Sequence, residues 1–323
     1  MNQLRFIVGV TLGAALLAAA GPASAEPGHA AAFTGERTMV SSVVELARRG
    51  EHFQALSRYT ELSEQERSVA DGLAAARSAW SLGLVGRARD IWDDVFAIED
   101  FRGVERARAL LARAILEHQE QQHEPARAFA ERGAALLEPS DLRAQFWLLI
   151  AESLRSENVL SRAEGYYERA AAEGTGQTKA EALYFLGEVQ KGLGRLQEAR
   201  QTFTSLPLAS AFTARALKRL IEIDHTERDY DGVLTWIQEG LSTYPTSFDE
   251  PWVQYTRIKA LLALGRYADA QVAQKEFGVK FSEKDRWYLL ATAMVEQALS
   301  NQIIEGGPGA TRAMLLWPTG EDE

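Results

Sequence analysis

Apolar side chains recur along most of this chain at spacings of three and four, the rhythm of helices that each bury one face. The clearest stretch begins with Leu183, Leu186-Gly187 and Gln190 on one stripe. A polar break at Gly194-Arg195-Leu196 follows, and Ala199 and Phe203 then open a second helix that stops before Pro207. The same unit can be laid along the rest of the chain. Trp147, Ile150-Ala151 and Leu154 lead through Asn158 to Ala163, Tyr167 and Ala170. Leu217, Leu220-Ile221 and Asp224 lead through Asp229-Tyr230 to Val233, Ile237, Gly240 and Pro245. Ile258 and Leu261 lead through Gly265-Arg266-Tyr267 to Ala270, Gln274 and Phe277. Upstream, Gly50 precedes Ala55 and Tyr59, Gly83 precedes Ala88 and Trp92, and His123 precedes Ala126 and Ala130.

Each unit therefore predicts a helix pair, and a small or slim residue opens the second helix at 55, 88, 126, 163, 199, 233 and 270. Successive gaps are 33, 38, 37, 36, 34 and 37 residues. A small residue lets two helices of a hairpin approach closely, and a large one a turn later fills the wedge to the next pair. No single hairpin buries its own face, so neighbours must stack into a continuous core.

These residues resemble the tetratricopeptide repeat, with its period of about 34 residues. Leu186-Gly187, Tyr230, Ala163, Phe203 and Pro245 stand where that signature has them, and the resemblance covers roughly residues 37–283. The gaps of 36 to 38 imply longer turns or an added helical turn, and Val233 stands in place of the usual Ala. The expected fold is all-α: a right-handed superhelical solenoid of about seven hairpins plus a C-terminal closing helix. An α/α toroid is the main alternative, but its active site needs long loops at one rim, and the breaks here are short.

Outside the repeats, residues 26–36 predict a mobile leader. Ser282 is the expected N-cap of a closing helix over 284–302, with Trp287, Leu290-Ala291 and Met294 on one face. Residues 303–323 predict a flexible tail that breaks at Gly306-Gly307-Pro308-Gly309. It carries an apolar patch, Ala313-Met314-Leu315-Leu316-Trp317, before an acidic end. That patch is expected to fold back over the closing helix, the other destination being a partner.

The first residues bear on compartment. Arg5 is the only charge ahead of an apolar and small-residue run over 6–20, and Ala23 and Ala25 form the small-x-small pattern that signal peptidase accepts. The run is shorter than the ~20 residues a spanning helix needs. Cleavage after Ala25 and delivery to the periplasm are expected, with no membrane insertion thereafter. Removal of residues 1–25 leaves 34 basic residues against 45 acidic, a net charge of −11. Such a surface disfavours non-specific nucleic-acid binding. The chain has no cysteine, which removes disulfides, thiolate metal sites and a thiol nucleophile together.

Little else suggests chemistry. Phosphate-cradling glycine motifs and the Gly-x-Ser-x-Gly elbow are absent. His118 and His123, near Glu117, Glu120 and Glu124, form the only cluster suggestive of a metal. Zinc-binding helices use a spacing of four rather than five, and a polar turn between helices accounts for these residues. No catalytic residue, cofactor site or metal site is assigned.

Binding is the function that the resemblance implies, since first helices line the concave groove in that family. Projecting that face gives Gln145, Leu148 and Glu152, then Glu181, Tyr184 and Glu188. It continues with Arg215, Lys218, Arg219 and Glu222, and ends with Trp252, Tyr255 and Lys259. The candidate partner-binding residues are Arg215, Lys218, Arg219, Trp252, Tyr255 and Lys259, a basic and aromatic group in an acidic protein. The competing reading makes the cations ion-pair partners of Glu181, Glu188 and Glu222. The chain is thus expected to be a non-catalytic scaffold for an envelope protein or peptide, an accessory of a Tol- or TonB-type motor or an assembly complex. The alternatives are a cell-wall hydrolase with a site in the groove and a self-assembling structural protein, so a homo-oligomer stays open.

Overall fold

A computed structural model of the chain describes residues 42–207, 209–282 and 284–305. The expected export segment over 1–25, the expected leader over 26–36 and the expected tail from Gly306, with its apolar patch, lie outside the described residues. Among those described, all regular secondary structure is helical. Seven hairpins follow one another: α1 (Val43–Arg48) with α2 (His52–Glu61), α3 (Val69–Ser81) with α4 (Val85–Phe96), and α5 (Gly103–Gln119) with α6 (His123–Ala134). Next come α7 (Asp141–Ser156) with α8 (Leu160–Glu173), α9 (Gly176–Gly192) with α10 (Leu196–Thr204), and α11 (Thr213–Glu227) with α12 (Tyr230–Thr243). A four-residue helix, α13 (Pro245–Phe248), precedes the last pair, α14 (Pro251–Ala263) with α15 (Tyr267–Lys280). The closing helix is α16 (Arg286–Glu305). The chain divides into two units, residues 1–182 and 183–323, with the division inside α9.

One turn geometry makes all seven hairpins. Gly50, Gly83, Gln121, Asn158, Gly194, Arg228 and Gly265 each have φ between 60° and 78°. The next amide then reaches back five residues, as in Glu51 N–H to Leu46 O at 3.0 Å and Arg195 N–H to Gln190 O at 2.9 Å. This bond satisfies a carbonyl that the first helix leaves open at its end. Five residues after each turn residue comes the small residue, always the fourth of its helix. Ala55, Ala88, Ala126, Ala163, Ala199, Val233 and Ala270 are all fully buried. Two turns lie slightly upstream of their expected places. His123 and Tyr230 are the first residues of α6 and α12, and Gln121 and Arg228 take the left-handed conformation.

The long gaps have two causes. The first helices α5, α7 and α9 run to 17, 16 and 17 residues against 13 for α3, an added helical turn. The 37-residue gap to Ala270 instead accommodates α13. There Phe248 is fully buried, and a Cβ on Gly240 would come within 2.1 Å of its ring. Glycine is the residue that lets this ring sit against α12.

In the first unit α3 presents Ala75, Ala76 and Ala79, all fully buried, and Trp92 packs edge-on to Trp80 at 5.9 Å. The second unit is more aromatic: Tyr184 stacks on Phe212 at 5.3 Å and meets Phe203 at 6.0 Å. At its far end Phe277 of α15 meets Phe281 and Tyr288 edge-on, and α16 covers Ile258, Leu261 and Ala273. The closing helix starts later than expected. Asp285 Oδ1 accepts the amides of Trp287 and Tyr288 at 2.8 and 3.4 Å, whereas the Ser282 hydroxyl accepts from Lys284 in the preceding turn. Asp285 is therefore the cap, and the helix runs on to Glu305. No described helix is long and apolar enough to cross a membrane.

Candidate partner-binding face

The basic face lies wholly in the second unit. Helix α11 buries Ala216, Leu217, Leu220 and Ile221, so positions 215, 218, 219 and 222 stand on its other side. Arg219 donates through Nε to Glu188 at 2.8 Å and through Nη1 to Glu222 at 2.6 Å. Burial alone would depress its pKa, but Glu188 and Glu222 outweigh that and raise it above the ordinary arginine value. Lys191 pairs with the other oxygen of Glu222. Lys218 donates to Glu250 at 2.8 Å, and Nε1 of Trp252 donates to the second oxygen of the same carboxylate. Its ammonium also lies 5.7 Å from the Phe248 ring and 5.9 Å from that of Trp252.

Arg215 differs. Its guanidinium lies 5.7 Å over the Phe212 ring, and among the described residues it has no ion pair. Lys259 is half-buried on α14, and desolvation holds its ammonium below the usual lysine value. His225 is depressed as well, first by burial and then by Lys259.

The pairing of Arg219 with Glu188 and Glu222 is the one that the ion-pair reading expects. The projected face is also less open than the family pattern implies. Leu148, Glu152, Glu181 and Tyr184 are at most 4% exposed, and Tyr255 is buried against Trp287 with ring centroids 5.0 Å apart. Neighbouring helices close over these positions. Glu152 accepts a hydrogen bond from the buried Tyr167 hydroxyl and pairs with Arg155 at 2.6 Å, and Tyr184 is stacked on Phe212. Of the six candidates, Arg215, Lys218, Arg219, Trp252 and Lys259 retain partial exposure.

A set of ties between hairpins went unread in the sequence. Arg89 grips Glu117 at 2.9 and 2.6 Å, Arg127 reaches Ser153 at 2.9 Å and also Glu157, and Arg200 reaches Asp224 and Glu227. Each arginine directly follows the small residue of its hairpin. The main acids stand nine or six residues before the next small one, a register that aligned repeats display. In the first unit Arg169 lies over Trp147 and Tyr166 at 5.7 and 5.3 Å. His118 and His123 meet across the α5–α6 turn with rings 5.3 Å apart. Among the described residues no group of three or more His, Asp and Glu side chains is arranged to hold a metal.

No protein-family model and no curated protein matches the sequence. Solved structures do. The C-terminal part of a tetratricopeptide repeat-containing protein of Cytophaga hutchinsonii superposes with a TM-score of 0.61, covering 77% of this chain and 97% of that one at 11% identity. PilF of Pseudomonas aeruginosa gives 0.49 over 64% of this chain and 93% of its own at 17% identity. The apo form of RapI gives 0.49 over 74% and 99% at 13% identity. The first likeness establishes the fold: a solenoid of tetratricopeptide-type helix hairpins.

Proposed function

We propose that this chain is a non-catalytic scaffold of the bacterial envelope that holds an acidic segment of a partner protein on the open side of α11 and α14. The observation that carries the reading is Arg215. It is a partly exposed arginine on an aromatic ring, without a carboxylate partner among the described residues, in a chain of net charge −10. Lys218, Arg219 and Lys259 extend the positive face around it, and Trp252 offers a partly exposed indole; Arg and Trp are residue types over-represented where binding energy concentrates. Glu188, Glu222 and Glu250 keep the neighbouring cations extended, so a ligand carboxylate meets groups already oriented.

The non-catalytic part of the reading rests on the likeness in fold to a tetratricopeptide repeat-containing protein. Periplasmic delivery rests on the export signal read over residues 1–25, and a role beside a Tol- or TonB-type motor or an assembly complex rests on general resemblance.

The test is capture from a periplasmic extract by the mature chain against two variants. Arg215→Glu should lower capture at least about tenfold while moving the melting temperature by no more than roughly 2 °C, because no ion pair is lost. Trp252→Ala should weaken capture by about 2 kcal/mol, and added salt should weaken it further. Intact capture by Arg215→Glu would remove this face from the binding surface.

A further inference from the structure

A second surface of the same unit has no role in that reading. Helices α12 and α15 flank α14 and leave between them a cleft of about 550 Å³. Leu234, Ile237, Leu241, Leu261 and Val272 give it an apolar lining, and Arg257 and Arg266 stand among its polar residues. The apolar character continues along α15. Val272 is 55% exposed and Val279, two turns on, is 91% exposed, with Lys275 and Lys280 on the same face. Exposed apolar surface of this kind needs a cover.

The chain itself supplies a matching segment. Residues 314–317 read Met-Leu-Leu-Trp, and residues 321–323 read Glu-Asp-Glu. The apolar run suits the lining, and the acidic run suits Lys275 together with Arg257, Arg266 and Lys280, cations it would share with Glu276 at 3.0 Å, Asp269 at 2.8 Å and Asp249 at 2.7 Å. The point of departure fits as well. Gln274 bonds Tyr288 at 3.3 Å and Thr292 at 3.1 Å, and Phe277 packs on Tyr288, so α16 runs antiparallel to α15. At 20 residues against 14, α16 passes the start of α15, where Arg266 and Asp269 line the cleft, and its last residue lies about 12 Å beyond it. The eight residues 306–313 can span up to ~26 Å, enough to pass around a helix ~10–12 Å across.

We propose that this cleft is the seat of residues 314–323 of the same chain, with the four apolar residues on Leu234, Leu241 and Val272 and the three acids towards the cations. A short tether holds the segment at millimolar effective concentration, so it outcompetes the same segment of a second copy. A partner that takes the tail would uncover the cleft.

Because the chain has no cysteine, disulfide trapping in the full chain reads the seat directly. Leu315→Cys is combined with Val272→Cys in one variant and with Leu289→Cys in another. Val272 and Leu289 are almost equally exposed, at 55% and 56%, and Leu289 lies on the closing helix. Under mild oxidation the 315–272 pair should close within one molecule about tenfold faster than 315–289, at a rate independent of protein concentration. Replacing Glu321, Asp322 and Glu323 with Lys should slow that closure several-fold, as should added salt. Faster trapping at 289 would place the tail on the closing helix, and concentration-dependent dimers would give the cleft to a second copy. Equal rates at both positions would mean that the tail has no seat. Each of these overturns the proposal.

Discussion

At the residue scale, three of the seven turns carry a side chain in the left-handed region: Gln121, Asn158 and Arg228, with φ of 61°, 60° and 62°. That conformation brings Cβ close to the following carbonyl oxygen and costs about 1–2 kcal/mol outside glycine, least for asparagine, whose short polar side chain tolerates it. Arg228 and Gln121 are exposed and have no compensating ion pair among the described residues. Arg228→Gly should therefore stabilise the protein by about 0.5–1 kcal/mol. Glycine's looser unfolded chain offsets the remainder of the relief. Gly194→Ala, at φ 78°, should destabilise by about 1 kcal/mol. Urea midpoints at unchanged slope measure both, and a lower midpoint for Arg228→Gly would mean that its side chain carries a contact worth more than the strain.

At the scale of elements, neighbouring hairpins are joined by more than apolar burial. Glu117, 3% exposed near the end of α5, accepts from Arg89 of α4 and from Arg113 one turn earlier on its own helix. The Arg113 guanidinium in turn lies 4.9 Å over the Phe129 ring of α6. Burial alone would raise the Glu117 pKa, but the bonds from Arg89 and Arg113 outweigh it and hold the carboxyl below its ordinary value. A folded pKa below the unfolded one means stability that is full above ~4.5 and lost as pH falls through the folded value. Glu117→Gln should thus cost about 3 kcal/mol at pH 7, since it leaves the nearly buried Arg113 with only the exposed Asp93 carboxylate, at 3.2 Å, as a charge partner. The cost should shrink as pH drops below ~4. Asp269→Asn, which breaks the exposed pair with Arg266, should cost under ~1 kcal/mol. Thermal melts of both variants at pH 7 and in acid distinguish a buried tie from a surface one. Equal losses would reduce Glu117 to a surface role.

At the scale of the whole molecule, acid should find each unit through a histidine. Burial depresses the His118 pKa. Glu152 on α7 opposes this, while His123 across the turn and Arg155 reinforce it. Burial and then Lys259 depress His225. Both folded values lie below the unfolded ~6.5, so the unfolded chain binds protons first. The stability these neutral rings contribute is whole above ~6.5 and declines as pH falls through the folded values. The melting temperature should fall between pH 7 and pH 5, well before most carboxylates titrate. Replacing both His118 and His225 with Gln should flatten that decline, and an unchanged slope would place the acid sensitivity elsewhere.

Much of the fold was legible in local pattern. The small residues at 55, 88, 126, 163, 199, 233 and 270 mark the fourth position of every second helix, because close helix approach tolerates no bulk there and the requirement repeats with each hairpin. Glycines marked four of the turns and Asn158 a fifth, for an equally local reason. Gln121 and Arg228 hid the other two exact turn positions, since nothing in those side chains announces a left-handed backbone that the hairpin geometry imposes. The candidate site was legible only by half. Helical spacing places Arg215, Lys218, Arg219 and Glu222 on one side of α11. Which of them is already engaged depends on residues about thirty positions away, Glu188 for Arg219 and Glu250 for Lys218. Likewise the sequence puts Tyr255 on the same stripe as Trp252, while the closing helix decides that Tyr255 turns inward onto Trp287. Periodicity is a property of one helix. Burial and charge pairing are properties of the helix that comes to lie beside it, and that neighbour is chosen only when the hairpins stack.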